Sequence, residues 1–421
     1  MKDSTATELK LPSQAYGLES VLKQGAQRLL AQAIEAEVDG LLSDQSSRYV
    51  EGKRAVVRNG YLPERMIQTG LGDIAVKVPK VRDRSEQGVK FNSALVPPYL
   101  KRTQTIEELI PWLYLKGIST GDMKPALEAL LGEKAVGLSS NTVSRLKQQW
   151  EEDYEQWNKR DLSKQHYAYV WADGIYSNVR SDDRLCLLVM IGATEEGHKE
   201  VLAVIDGYRE SEASWYELLT QLEQQGLNTA PQLAIGDGAL GFWQAVAKKW
   251  PNTRTQRCWV HKTANVLNKV PKALQPKIKD ALKEIWQSKT RKEAETALNN
   301  LQERFETKYP KAMTCLKKDE TALLAFYDFP AAHWQHIRTT NPIESVFATV
   351  RLRTAKCKNC GSRKTTLAMT YKLIETAQSK WQRLRGYSLL PDVIKGIVFK
   401  DGEPPKLGQT QDNSHPPIHQ I

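Results

Sequence analysis

The sequence predicts an α/β protein, a mixed sheet with helices on its faces preceded by a largely helical region. Three observations lead there. Strand-type runs at 166–172, 185–193 and 200–205 follow one another directly. Two more, at 232–236 and 255–260, then alternate with helical stretches at 214–225 and 242–250, a pattern of mixed sheets covered by helices. Upstream, 103–150 carries three helical segments separated by turn signals, and 262–333 is helical and highly charged with no strand signal.

Taken in order, 1–11 is polar and expected to fray. From 16 to 42 apolar residues recur at helical spacing (Leu18, Val21, Leu22, Leu29, Leu30, Ile34, Val38, Leu41), with a potential break at Gly25. Residues 66–81 read as two strands about Gly70–Asp73, with Ile74, Val76 and Val78 alternating. In 103–150 the first helix holds Ile106, Leu109 and Leu113, and Pro111 should kink it. The second holds Met123 and Leu127. The third begins near Ser140 and carries small polar and basic residues that suit a recognition helix in a major groove: Ser140, Asn141, Ser144, Arg145 and Lys147. A further charged, aromatic helix is expected over 150–157. Helix resumes at 342 and, with a break at 357–362, reaches 381. The tail after Asp401 lacks apolar residues and is expected to be disordered.

Length and composition narrow the function classes. A chain of 421 residues suffices for two or three domains. Its net charge of +11 favours a polyanionic partner, nucleic acid before a membrane surface. Between Arg338 and Lys400 there are 13 Lys or Arg against three acids, so most of the excess lies in one segment. Five cysteines in so long a chain do not form a disulfide framework, no apolar leader pattern opens the sequence, and no run is long enough to span a bilayer. A reducing, cytoplasmic setting without membrane is the expectation.

Three acids stand out. Asp173 ends the apolar run Val170-Trp171-Ala172, and Asp237 follows Leu233-Ala234-Ile235-Gly236. Glu344 lies in the first turn of a helix that Asn341 and Pro342 open. Carboxylates at the ends of buried strands are poorly solvated and call for a cation. Hard divalent cations take oxygen ligands, and a pair of them beside a phosphodiester can promote its cleavage. Read singly, Asp173 and Asp237 are equally well turn residues before glycine, and Glu344 is a dipole-stabilising helix acid.

The motifs D-G-I-Y, with Arg180 seven residues past its Asp, G-D-G-A-L-G-F-W-Q-A, Q-R-C-W-V-H and T-T-N-P-I-E-S-V-F-A-T-V-R-L-R occur in this order. They follow R-N-G at 58–60 and the stretches G-I-S-T and L-S-S-N-T-V-S-R. The ordered set resembles the Mutator-like transposases of bacterial insertion sequences. The resemblance implies an RNase H-like catalytic core with Asp173, Asp237 and Glu344 as catalytic and metal-binding triad. It implies Mg2+ as cofactor, replaceable by Mn2+. The 107 residues between Asp237 and Glu344 accommodate an all-helical insertion. The implied organisation is a DNA-end-binding region at 1–100, a helix-turn-helix-like domain at 101–160 and the core at 161–261 and 336–400. The insertion takes 262–335 and the tail 401–421. The implied partners are terminal inverted repeats and target DNA, with a homodimer or larger assembly holding two ends together near the nucleoid.

Arg338, Arg351, Arg353, Lys356, Arg363 and Lys364 are the candidate phosphate contacts near the Glu344 helix. Trp286 and Trp334 are candidates for stacking on an unpaired base. Cys258 and His261 match the family's C-x-x-H element and are read as structural. With Cys357 and Cys360 they also have the makings of a four-ligand zinc site. Two other functions share these features: a DNA-binding regulator without catalysis, and a nuclease of the same fold that hydrolyses but does not join.

Overall fold

The computed structural model describes residues 17–85, 87–115, 118, 122–131, 140–178, 184–207, 209–238, 240–356 and 362–405. The fraying expected of 1–11, Arg180, the Cys357/Cys360 pair and most of the tail lie outside the described residues. The chain forms two compact units, Met1–Leu146 and Lys147–Ile421.

In the first unit α1 (Leu18–Asp44) is one uninterrupted helix through Gly25. Its buried stripe, Ile34 and Val38, packs on small antiparallel ladders. These are β1 (Tyr49–Val50) with β2 (Lys53–Arg54), β3 (Val56–Tyr61) with β6 (Pro79–Asp83), and β4 (Arg65–Thr69) with β5 (Gly72–Val76). The hairpin of β4 and β5 is the one read from alternation, and Gly72 supplies the positive φ of its turn. Two readings change here. Val81 belongs to a separate strand, and residues 49–61 contribute strands that the sequence pattern did not show. Apart from Val56 and Val57, β3 is exposed and polar, so no period of two marks it. Arg58 ties it to α1 through Glu35 at 2.7 Å. Next come α2 (Gln104–Leu115), which runs through Pro111, and α3 (Met123–Leu131), while α4 (Ser140–Trp157) begins in this unit and has most of its length in the second. The third helix and the expected helix at 150–157 are thus one element.

The second unit is built on a five-stranded sheet. Its strands are β7 (Tyr167–Asn178), β8 (Arg184–Thr194), β9 (Lys199–Gly207), β10 (Leu233–Gly236) and β11 (Arg254–Arg257), in the spatial order β11-β10-β7-β8-β9. β7, β8 and β9 form an antiparallel meander, while β10 and β11 add in parallel on the other side of β7. One face is buried under α5 (Glu212–Gln224) and α6 (Leu240–Lys249). There Trp215, Leu218, Leu222 and Phe242 meet Val170, Ala172, Leu188 and Met190. On the other face Trp171 donates its indole N–H to the His336 carbonyl at 3.0 Å. Tyr169 donates to His333 Nδ1 at 2.7 Å, and the Nε2–H of that imidazole donates to the Gly386 carbonyl.

After β11 the chain is helical, as expected. α7 (Trp259–Leu267), α8 (Gln275–Gln287), α9 (Arg291–Phe305) and α10 (Pro310–Lys317) come first. The short α11 (Glu320–Leu323) and α12 (Trp334–Ile337) precede α13 (Asn341–Lys356), α14 (Arg363–Gln378) and α15 (Leu390–Ile394). The helix expected to reach 381 ends at Gln378. The strand expected over 255–260 is shorter, because Cys258 caps α7 and Trp259 is already helical. Among the described residues no helix is long and apolar enough to cross a membrane.

Candidate metal centre

Strand register assembles the site. Ala172, Gly236 and Arg257 lie side by side across the parallel strands β7, β10 and β11. The next residue on each is Asp173, Asp237 and Cys258. Adjacent strands lie about 4.8 Å apart, so the first two carboxylates are neighbours by construction. Asp173 was expected to end its strand, but β7 continues to Asn178, paired with β8. It is β10 that stops, at Gly236, beside Ala172 and one residue short of Asp173. Alternation along β7 puts Asp173 on the face of Tyr169 and Trp171. The backbone of Asp237 is fixed from two sides, since Trp243 Nε1 and Arg257 Nη1 donate to its carbonyl at 3.0 and 2.7 Å.

Glu344 reaches this edge by a separate route. The Trp259 amide donates to the Arg338 carbonyl at 3.0 Å, which lays the segment before α13 along the start of α7. The Thr340 amide donates to Cys258 Sγ at 3.3 Å, and the Thr340 hydroxyl stands 3.3 Å from both Cys258 Sγ and Glu344 Oε1. His261, one turn into α7, holds Nε2 at 3.3 Å from Glu344 Oε1. Cys258 and His261 therefore join the two segments that carry the acids. Burial raises the Cys258 thiol, but hydrogen bonds from His261 and Thr340 outweigh it and leave the group below its ordinary value.

A residue the sequence reading missed completes the cluster. Glu210, between β9 and α5, brings a carboxylate oxygen to within 4.8 Å of ligand oxygens of Asp173 and Asp237, which are equally close to each other. Glu344 is not part of that group. Glu210 sits in R-E-S-E-A-S-W, where an acid before a helix start attracts no notice. Strand direction was the available signal: β9 runs parallel to β7 and β10 across the antiparallel β8, so its end joins theirs on one edge.

The charges are mutually strained. Burial, then the charge of Asp237, pushes the Asp173 carboxyl up to about 7. The same two causes raise Glu210 to about 6. A hydrogen bond with Cys258, reinforced by the charges of Cys258, Asp173 and Glu344 and opposed by burial, raises His261 to about 9. A buried carboxylate clustered with two half-buried ones is a donor set suited to a hard divalent cation.

The remaining candidates are spread more widely. Arg338 stacks over Trp286 with its guanidinium carbon 4.5 Å from the ring centroid, and it donates to the Trp286 carbonyl. Trp334 packs edge-on against Phe326 and Tyr327 and donates to the Phe329 carbonyl. Arg363 pairs with Asp206 at 2.8 Å and Lys364 with Glu155 at 2.7 Å. Arg351, Ser144 and Arg145 are exposed and Lys147 is half-buried. The side chains of Ser140, Asn141, Arg353 and Lys356 lie outside the described residues.

Residues 2–384 match the family model described as transposase, Mutator family. The transposase for insertion sequence element IS6120 of Mycolicibacterium smegmatis is 49% identical over 298 residues, 70% of this chain and 92% of that protein. The transposase for insertion sequence element IST2 of Acidithiobacillus ferrooxidans is 49% identical over 291 residues, 69% of this chain and 98% of its own length. The transposase for IS905 of Lactococcus lactis is 28% identical over 358 residues, 85% and 88% of the two chains. The chain belongs to the Mutator family of transposases.

Proposed function

We propose that this protein cuts DNA at the ends of an insertion sequence and joins those ends to target DNA. The observation that carries the reading is the register that sets Asp173 beside Asp237, with Glu344 tied to the same edge through Thr340 and His261. The sheet order, three antiparallel strands extended by two parallel ones, supports an RNase H-like core. The helices between α7 and α12 then form the insertion, and the helical part of the first unit serves end binding.

In this reading Asp173, Asp237 and Glu344 hold Mg2+, or Mn2+ in its place. Bound divalent ions supply activation of the attacking oxygen and charge stabilisation at the leaving one. Asp173, whose carboxyl burial and Asp237 push up to about 7, would hold the ion as a carboxylate. Asp237 offers a carboxylate whose backbone cannot drift. His261 keeps Glu344 oriented at the start of α13, and the cations of the C-terminal segment, Arg351 among them, face phosphates. DNA ends and target are the partners, a dimer or larger assembly brings two ends together, and the nucleoid is the place of action.

The test is incubation of the purified chain with duplexes carrying candidate terminal repeats, a target plasmid and Mg2+ or Mn2+. Metal-dependent nicks at the ends and covalently joined products are expected. Asp173→Asn, Asp237→Asn and Glu344→Gln should each reduce cleavage by more than about 100-fold, beyond the range of a supporting residue, while end binding persists. Nicks without joined products would mean a hydrolytic nuclease. Binding without nicks would mean a regulator.

A further inference from the structure

The triad leaves out the carboxylate that stands with Asp173 and Asp237. Glu210 shares with them the one group of possible metal ligands found among the described residues. Burial and the charge of Asp237 both raise its carboxyl, and the charge of His261 opposes them.

Its place is prepared by two glycines from different motifs. A Cβ on Gly174, the residue after Asp173, would stand 2.6 Å from Cγ, Cδ and Oε1 of Glu210. A Cβ on Gly241, in the first turn of α6, would stand 2.6 Å from the Glu210 carbonyl oxygen and 2.5 Å from the Glu212 amide. One glycine clears room for the side chain and the other for the backbone that carries it. The mounting is rigid as well. Ser211 caps α5 by accepting from the Ser214 amide, and Trp215, Leu218, Leu219 and Leu222 of that helix are buried.

Glu344 is engaged elsewhere, by His261 Nε2 and the Thr340 hydroxyl, each at 3.3 Å. The charges of Asp173 and Glu344 both act on His261.

We propose that Glu210 is a direct ligand of a divalent cation shared with Asp173 and Asp237, and that this ion binds the DNA-free protein without help from Glu344. The proposal rests on the metal-dependent reading above. Glu344 serves the second ion position, next to His261, which DNA and metal complete together.

The experiment is binding of Mn2+ alone to the full-length, DNA-free protein, followed by loss of the free-ion paramagnetic resonance signal and by calorimetry. Glu210→Gln should weaken the tighter site at least about tenfold. Gly174→Ala, which keeps the carboxylate but displaces it, should do the same. Asp173→Asn and Asp237→Asn should abolish that site, and Glu344→Gln should leave it within about twofold of wild type. Circular dichroism on each variant reports folding, and Glu210→Asp serves if the amide variant does not fold, with intermediate affinity expected. Wild-type affinity in Glu210→Gln together with loss in Asp173→Asn would overturn the proposal and leave the metal reading standing. Loss in Glu344→Gln equal to that in Glu210→Gln would overturn the independence of the two positions. Unchanged binding in both aspartate variants would remove the metal reading itself.

Discussion

Asp173 sits within a strand, beside a second acid, with its own Gly174 amide donating to it at 2.8 Å. Repulsion at this point has a consequence for stability. A carboxyl whose folded value is raised contributes stability that is present at low pH and is lost as pH climbs through that value. For Asp173 the loss runs from about pH 4 to about 7. His261, raised to about 9, adds stability that holds below about 6.5 and fades by about 9. Both act in the same direction. Below the pH range in which the lowered Cys258 thiol adds an opposite contribution, the metal-free protein should therefore lose stability on the order of a few kcal/mol between about pH 4 and about 7. Saturating Mg2+ should flatten the profile by taking the proton's place. Melting curves of wild type against Asp173→Asn, in chelator and in Mg2+, check this. A wild-type melting temperature that rises with pH in chelator, relative to the variant, would contradict it. Asp173, Asp237 and Glu344 stood out in the sequence because each interrupts a pattern, two after apolar runs and one at a helix start. Glu210 interrupts nothing, and only the folded strand directions reveal it.

At the scale of elements, backbone clearance decides what can change. Gly241 lets α6 approach the start of α5 so closely that a Cβ would meet backbone at 2.5 Å. Gly241→Ala should cost the second unit about 1–3 kcal/mol, as overpacking generally does. Gly25, inside α1, has nothing within 4 Å of a new Cβ. Gly25→Ala should stabilise the first unit by about 0.5–1 kcal/mol through helix propensity. Denaturant midpoints of the two variants should move in opposite directions, and a fall for Gly25→Ala or none for Gly241→Ala would contradict the packing described. The core strands were legible from apolar runs, although β7 was read as ending at Ala172. A polar residue and a glycine mimic a strand end there, while pairing with β8 carries the strand on to Asn178. The weak strands at 49–61 were not legible, since they bury little and hold by ladder hydrogen bonds and the Arg58–Glu35 pair.

At the scale of the molecule, chain order and spatial order part company. The acids lie 64 and then 107 residues apart in sequence. The parallel register of β7 and β10 sets Asp173 beside Asp237, and the tie from Cys258 to Thr340 brings the segment of Glu344 to the start of α7. Alternation and apolar runs foretold a mixed sheet with helices, but not which strand ends align. Family likeness supplied the pairing of motifs that periodicity could not, and the sheet order is compatible with it. The basic C-terminal segment was likewise legible by counting, whereas its present use was not: Arg363 and Lys364 are paired with Asp206 and Glu155 of the same unit. These pairs are half exposed, so phosphates can compete for them at little cost. The most direct measurement is a structure of the protein with a DNA end and Mn2+, with the metal located by anomalous scattering. The account predicts manganese peaks at about 2.0–2.2 Å from oxygens of Asp173, Asp237 and Glu344, next to the scissile phosphate. Peaks absent from that edge, or Glu344 remaining on His261 with no metal near it, would contradict the account.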